Sequence, residues 1–112
     1  MEQIKITIAS DFSDAPGARF IADGDNSGEL FYTQLLRPRF VQAKENSQKL
    51  FIDFDNTWGY ASSFISGAFG RLADEFGKKT VEKYFNFEFK SNDDPTLFRK
   101  VKDAINKSSN ND

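Results

Sequence analysis

The chain has 112 residues, and its 15 Lys and Arg against 17 Asp and Glu give a formal net charge of −2. This length indicates one domain, which we place at residues 1–106, followed by a polar tail at residues 107–112 that we expect to fray. The chain contains no Cys and no His, which excludes disulfides, thiolate zinc sites and Ser-His-Asp catalysis. The slightly acidic balance also argues against nucleic-acid binding through a basic surface.

The sequence predicts a cytoplasmic protein that does not associate with membranes. The N-terminus runs directly into an alternating pattern, without the basic and apolar regions of a signal peptide. No apolar run approaches the roughly 20 residues that a membrane-spanning helix needs.

Isoleucines at every second position predict the first strand. Ile4, Ile6 and Ile8 alternate with more polar residues, which is typical of a strand with one buried face. Residues 13–17 then contain Ser, Asp, Pro and Gly, which favour a turn. Residues 20–22 are apolar again and predict a short second strand beside the first.

A helix and then a buried strand are predicted next. Ser27 is placed to cap a helix whose apolar residues recur at helical spacing through about Lys44. Pro38 lies inside this pattern, so we expect one helical segment that is broken near the proline. The apolar run at residues 50–52 predicts a strand that is buried on both faces and leads into Asp53.

The strongest amphipathic pattern in the chain predicts a helix that starts near residue 62. Its apolar stripe consists of Phe64, Ile65, Ala68, Phe69, Leu72, Ala73 and Phe76. We expect Ser62 or Ser63 to cap the start and Gly77 to end the helix in the left-handed conformation. Residues 80–84 are expected to add a helical turn.

One more strand and one more helix are predicted in the last third of the chain. Phe85, Phe87 and Phe89 alternate with polar residues, as in a strand with one solvent-facing side. Asp94 and Pro95 are predicted to be the cap and the first-turn proline of the final helix. The apolar stripe of that helix consists of Leu97, Phe98, Val101, Ala104 and Ile105.

The alternation of strands and helices predicts an α/β fold. Such an order gives a mixed, largely parallel sheet, here of about four strands, with helices packed on it. The phenylalanine strand would permit pairing between two chains if it lay at a sheet edge. We nevertheless expect a monomer, because the same pattern fits an ordinary strand.

Two aspartates directly follow the buried strand. Asp53 and Asp55 stand in the order Asp-x-Asp-x-Thr, which resembles the first motif of haloacid-dehalogenase-type phosphatases. In that family the first Asp attacks phosphorus and the second is the acid/base, with magnesium between them. Lys78 or Lys79 and the pair 93–94 would complete the set, although their spacing differs from the family's. The alternative interpretation is that both carboxylates accept hydrogen bonds from the backbone of the following loop.

Two glycine-containing loops form a second candidate site. A helix N-terminus that begins with Ser27 and Gly28, together with Gly17 and the side chain of Arg19, is suited to holding an anion. The sequence lacks the Gly-Lys-Ser/Thr ending of a Walker A loop. The alternative is two turns and a helix cap, with Arg19 paired to a nearby aspartate.

Two aromatic residues lie in the loop before the strongest helix. Exposed Trp58 and Tyr60 would suit an interaction hot spot, because aromatic residues supply much of the binding energy of interfaces. The alternative interpretation is that they cover the end of the sheet.

Several short segments, in this order along the chain, carry a resemblance to a known family. They are Pro16-Gly17-x-Arg19, Asp23-Gly24, Ser27-Gly28-Glu29, Ile52-Asp53-Phe54-Asp55, Ser62-Ser63-Phe64 and Ala68-Phe69-Gly70-x-Leu72. Together they resemble a bacterial STAS-like domain family of unknown function. The resemblance extends from the first strand to the last helix, and more distantly it reaches the anti-sigma-factor antagonists.

That resemblance implies a regulatory domain that acts through protein–protein contact, with no cofactor. In the antagonists, a kinase of the histidine-kinase-like ATPase fold phosphorylates one hydroxyl at a helix start. Ser62 and Ser63 match that segment, whereas Ala61 and Phe64 depart from its Asp and Gly. The implied partner is a histidine-kinase-like ATPase module, and the alternative function is the magnesium-dependent phosphatase.

Overall fold

The computed structural model describes residues 3–17 and 26–112. The order of elements is β1 (Lys5–Thr7), α1 (Ile8–Asp11), α2 (residues 28–45), β2 (Phe51–Asp53), α3 (residues 62–76), α4 (Lys78–Tyr84) and α5 (Leu97–Asn106). The α/β class is therefore confirmed. The second strand predicted at residues 20–22 lies outside the described residues.

β1 and β2 form a parallel sheet in which Ile6 pairs with Ile52. Among the described residues the sheet has two strands rather than about four. The segment 85–90 follows the other edge of β2, but it is joined there only by isolated bridges, from Leu50 to Phe85 and from Asp53 to Lys90.

A local turn explains why the phenylalanine segment does not form a continuous strand. The Asn86 N–H donates to the Leu50 carbonyl, and the Lys90 N–H donates to the Ile52 carbonyl. Between these two hydrogen bonds, the 85–90 segment runs four residues while the neighbouring chain at residues 50–52 runs only two. The excess is taken up by a turn in which the Glu88 N–H donates to Asn86 Oδ1 at 2.9 Å.

β1 ends one residue earlier than the alternating pattern predicts. Ile8 is fully buried, as expected, but it begins α1 instead of extending the strand. The Asp11 carboxylate accepts a hydrogen bond from the Thr7 N–H at 2.8 Å, which closes the first turn of α1.

α2 is one helical segment with an irregular centre. It consists of Gly28–Phe31, a π-helical turn at Tyr32–Leu36, and Arg37–Glu45. The Ser27 hydroxyl accepts from the Leu30 N–H at 3.0 Å, so the predicted cap is confirmed. The predicted irregularity near Pro38 takes the form of this π turn, whose widened hydrogen bonding ends just before the proline ring.

α3 is the predicted long helix, made of Ser62–Ile65, a π-helical turn at Ser66–Gly70, and Arg71–Phe76. Its N-cap is Ala61, and no side chain caps it. The prediction that Ser62 or Ser63 caps the helix is therefore wrong, because both serines already lie in the first turn. Gly77 ends the helix with a positive φ of 93°, but its ψ of 150° is extended and not left-handed helical.

α5 begins at Leu97, two residues after the predicted Pro95. Asp94 instead closes a preceding turn, in which its Oδ1 accepts from the Thr96 N–H at 3.0 Å. Phe98, assigned to the buried stripe by its spacing, is 46% exposed.

The polar C-terminal segment, which we expected to fray, makes backbone contacts with α4. The Asn110 and Asp112 carbonyls accept hydrogen bonds from the Lys78 and Thr80 N–H groups, each at 3.1 Å. Ser108 is 7% exposed. The segment thus supplies acceptors for N–H groups that the first turn of α4 cannot satisfy internally.

Aromatic side chains dominate the core beside the sheet. Among the described residues, the largest fully buried side chains include Phe31, Phe40, Phe54, Phe64, Phe69 and Phe85. Phe31 contacts Phe64, and Phe69 contacts both Phe54 and Phe85, whereas Phe40 packs on Phe76. None of the helices in the described part of the chain has the length and hydropathy that crossing a membrane requires.

Candidate functional site

Asp53 and Asp55 lie at the carboxyl end of β2 and are only 7% and 4% exposed. The Oδ1 of Asp53 accepts the Asp55 N–H at 2.9 Å. The Oδ1 of Asp55 accepts the Asp93 N–H at 2.8 Å. One oxygen of each carboxylate therefore holds loop backbone in place, as the structural interpretation of this motif predicts for Asp53.

The second oxygen of each carboxylate faces a lysine that the sequence did not single out. Lys90 Nζ lies 3.7 Å from Asp53 Oδ2 and 3.9 Å from Asp55 Oδ2. Lys78 and Lys79, which the phosphatase motif suggested, belong to α4. The last residue of α4, Tyr84, accepts a hydrogen bond from the Leu50 N–H just before β2, whereas the lysines lie at the first turn of α4. They are therefore not the ion-pair partners of Asp53 and Asp55.

The loop that follows the aspartates is fastened at several points. The Asn56 N–H donates to Asp93 Oδ2 at 2.8 Å, with Asn56 at a φ of 68°. The Trp58 N–H donates to the Asp14 carbonyl at 2.7 Å. The loop is therefore tied both to the 85–97 side of the sheet and to the loop after α1.

The two aromatic residues of this loop have different environments. Tyr60 donates from its hydroxyl to the Phe54 carbonyl at 2.7 Å and packs on the rings of Phe54 and Phe64. Burial raises the pKa of Tyr60 above its ordinary value. Trp58, in contrast, is 87% exposed. Tyr60 thus covers the end of the sheet, and Trp58 projects from it.

A pocket of about 260 Å³ is lined in part by Trp58. Its lining residues are Phe54, Thr57, Trp58, Gly59, Tyr60, Asp93, Asp94 and Leu97. Its lining is about equally polar and apolar, and it includes the carboxylates of Asp93 and Asp94. In the described part of the chain, no three carboxylates come together as a metal site would require.

The second candidate site is only partly within the described residues. The Gly17 N–H donates to the Asn26 carbonyl at 2.9 Å, while Arg19 lies outside the described residues. Ser27 is occupied as a helix cap. Gly28 is buried against the backbone of α3, where a Cβ atom would lie 2.4 Å from the Phe64 carbonyl oxygen. Ser27 and Gly28 thus have structural roles here.

The two serines of α3 lie in a groove that sequence reasoning missed. Ser62 is exposed and Ser63 is half-buried. Both line an open groove of about 920 Å³ between α3 and α5, which also contains the side chains of Arg71, Lys100 and Lys107. Nothing in the local pattern of either helix indicates the groove, because it depends on how the two helices pack.

A polar network lies beside this groove. Arg37 Nε donates to both oxygens of Glu75, at 2.7 and 3.0 Å, and the Tyr32 hydroxyl donates to the same carboxylate. The Arg37 guanidinium holds the pKa of Glu75 below its ordinary value. Burial, followed by this hydrogen bond, raises the pKa of Tyr32.

These features define an α/β domain in which a small parallel sheet is flanked by helices and buried aspartates fasten the loops at its carboxyl end. A family model for the STAS-like domain of unknown function (DUF4325) matches residues 27–96. The chain belongs to this family, which confirms the resemblance noted from its motifs; the match includes the motifs from Ser27 onward and not those at residues 16–19 and 23–24. Comparison with curated proteins and with solved structures gives no match.

Proposed function

We propose that this STAS-like domain is a non-enzymatic regulatory module that binds a partner protein through the surface around Trp58. The observation that carries the proposal is the 87% exposure of this indole. Trp is enriched in interface hot spots, where a partner buries the ring.

The fastened loop supports this proposal. Hydrogen bonds from the Asn56 and Trp58 N–H groups hold the backbone on both sides of residue 57. Tyr60 anchors the end of the loop to the Phe54 carbonyl. Because the backbone is already ordered, a partner that buries the indole loses little conformational entropy in the loop.

The neighbouring pocket indicates the chemistry of the partner. Phe54 and Leu97 supply apolar lining, and Asp93 and Asp94 supply carboxylates, of which Asp94 already pairs with Lys100. A complementary partner inserts an apolar side chain and places a Lys or Arg beside the aspartates. The suggested similarity to anti-sigma-factor antagonists favours a histidine-kinase-like ATPase module as that partner.

The single Trp of the chain makes a direct test practical. A purified histidine-kinase-like ATPase module from the same cell is titrated into the domain while the emission of Trp58 is recorded. Burial of the indole is expected to shift the emission to shorter wavelength. Trp58→Ala is expected to weaken binding by about 2 kcal/mol, roughly thirtyfold in Kd, when an independent method measures affinity.

Phe98→Ala is the matched control, because Phe98 is a second exposed aromatic residue, on α5. This variant is expected to bind as the unchanged protein does. Binding that leaves the emission of Trp58 and the affinity of Trp58→Ala unchanged contradicts the proposed surface.

As a finer part of this proposal, phosphorylation at the start of α3 controls binding. Ser62 is the better acceptor because it is exposed, and neither serine makes a capping hydrogen bond. A phosphate there adds about −1.5 to −2 charge at a helix N-terminus, which favours negative charge. Ser62→Asp and Ser63→Asp are therefore expected to keep stability within about 1 kcal/mol while altering partner affinity. Unchanged affinity in both variants, with no phosphate found by mass spectrometry of the native protein, rejects the switch.

The rival function is a magnesium-dependent phosphatase that uses Asp53 and Asp55. The observation in its favour is that Lys90 Nζ lies within 4 Å of both carboxylates, where a cation would help to hold a phosphoryl group. Against it, one oxygen of each carboxylate is engaged by backbone N–H groups. Magnesium-dependent turnover of a generic phosphate ester that is abolished by Asp53→Asn would establish the rival.

A further inference from the structure

The groove between α3 and α5 has the size of a ligand site and shares no lining residue with the pocket around Trp58. Its volume of about 920 Å³ lies within the usual range for ligand pockets, roughly 300–1,000 Å³. Gly67 and Gly70 line it on the α3 side. The groove therefore requires its own explanation.

One donor in this groove lacks an acceptor. Arg71 Nε is buried, and it has no hydrogen-bond partner among the described residues. Buried polar groups in folded proteins are nearly always hydrogen-bonded, and a guanidinium N–H can only donate. The missing partner must therefore be an acceptor.

The carboxylates along the groove do not fill this role. Glu75 is held by the Arg37 guanidinium and the Tyr32 hydroxyl. Asp74 and Asp103 are exposed side chains at the rim. The acceptor for Arg71 therefore does not come from these residues.

Two lysines line the α5 side of the groove, Lys100 within α5 and Lys107 directly after its last residue. A Cβ on Gly70, which precedes Arg71, would lie 3.6 Å from the Ala104 carbonyl oxygen, so the helices approach each other closely there. Lys100 and Lys107 are one turn away from Ala104 in either direction and line the same groove. Lys100 pairs with Asp94 at 3.5 Å, whereas Lys107 has no ion pair within 4 Å among the described residues.

We propose that this groove binds an oxyanion, the carboxylate or phosphate group of a small molecule, with the Arg71 guanidinium as its principal donor. Lys107 supplies a second positive charge. Charged hydrogen bonds of this type are among the strongest in proteins, and the planar guanidinium matches both groups. The site shares no lining residue with the pocket at Trp58, although its own lining includes Ser62 and Ser63.

The test follows the Nε–H resonance of Arg71 by NMR during titration with inorganic phosphate or with succinate, at constant ionic strength. A saturable shift of this resonance with either probe is expected. Saturation with phosphate alone assigns the site to phosphorylated ligands, and saturation with succinate alone assigns it to carboxylates. The absence of a saturable shift with both probes overturns the proposal.

Matched arginine variants separate this site from general attraction of anions. Arg71→Gln is expected to weaken binding of the effective probe about tenfold or more, measured on backbone amides of α3 and α5. Arg99→Gln removes an exposed arginine of α5 that does not line the groove, and it is expected to change little. If Arg71→Gln does not fold, Lys107→Gln at an exposed position replaces it and is expected to weaken binding severalfold. Equal weakening by Arg99→Gln and by the groove variant overturns the proposal.

Discussion

Gly28 at the start of α2 lies directly against the Phe64 carbonyl of α3, where a Cβ atom would come within 2.4 Å of the oxygen. The two helices are thus in backbone contact near their N-termini. This contact explains why a glycine directly follows the helix cap Ser27 at this point of the chain.

Gly28→Ala is expected to destabilise the domain by about 1–3 kcal/mol, because the added methyl group would force the backbones apart. Gly17→Ala is the matched control, since a Cβ there would meet no atom within 4 Å. The control is expected to be neutral or slightly stabilising. Urea unfolding measures both, and equal stability of the two variants contradicts the close packing.

Substitutions at the N-caps of α2 and α3 are expected to change stability in opposite directions. Ser27→Ala removes the hydrogen bond to the Leu30 N–H and is expected to cost about 1 kcal/mol. Ala61→Ser introduces a capping hydroxyl where none exists and is expected to stabilise by a similar amount. Ser62→Ala is expected to be nearly neutral. A loss from Ser62→Ala as large as that from Ser27→Ala would show that Ser62 caps α3 after all.

Asp55 is expected to fasten the loop at the end of β2. Asp55→Ala leaves the Asp93 N–H without its acceptor and is expected to lower the free energy of unfolding by about 1–3 kcal/mol. Asp55→Asn keeps an acceptor oxygen and is expected to cost clearly less. Chemical denaturation compares the variants, and equal losses would show that the contact with Lys90, not the hydrogen bond, carries the effect.

The ion pair between Glu75 and Arg37 is expected to make the domain less stable at acid pH. Hydrogen bonds from Arg37 hold the pKa of Glu75 in the folded state below the ordinary value near 4.5. The stabilisation is therefore fully present above that value and is lost as the pH falls through the folded-state pKa. The stability difference between the unchanged protein and Glu75→Gln is expected to shrink between neutral pH and pH values below 4.5.

Glu82→Gln, which removes an exposed glutamate of α4, is the control for this pH dependence. Unfolding curves at several pH values provide the measurement. A difference between the unchanged protein and Glu75→Gln that stays constant across the acid range contradicts a role for the ion pair with Arg37.

The sequence alone determined the longer helices and the two strands of the sheet, but not the short helix α1. The stripe from Phe64 to Phe76 predicted α3, and the apolar run at residues 50–52 predicted β2, because burial imposes these spacings locally. The Ser27 cap was equally predictable, since a cap depends on only a few neighbouring residues. The family was also recognisable from short motifs.

Only the tertiary structure decided which side chains meet. Lys90 reaches Asp53 and Asp55 because its segment pairs with β2 across more than thirty intervening residues, a register that no local pattern encodes. The same pairing forces the Asn86 turn, which prevents the phenylalanine segment from forming a continuous strand. The groove at Arg71 likewise depends on the packing of α3 against α5. Periodicity reports which face of an element is buried, whereas the partner of that face is set by contacts between distant parts of the chain.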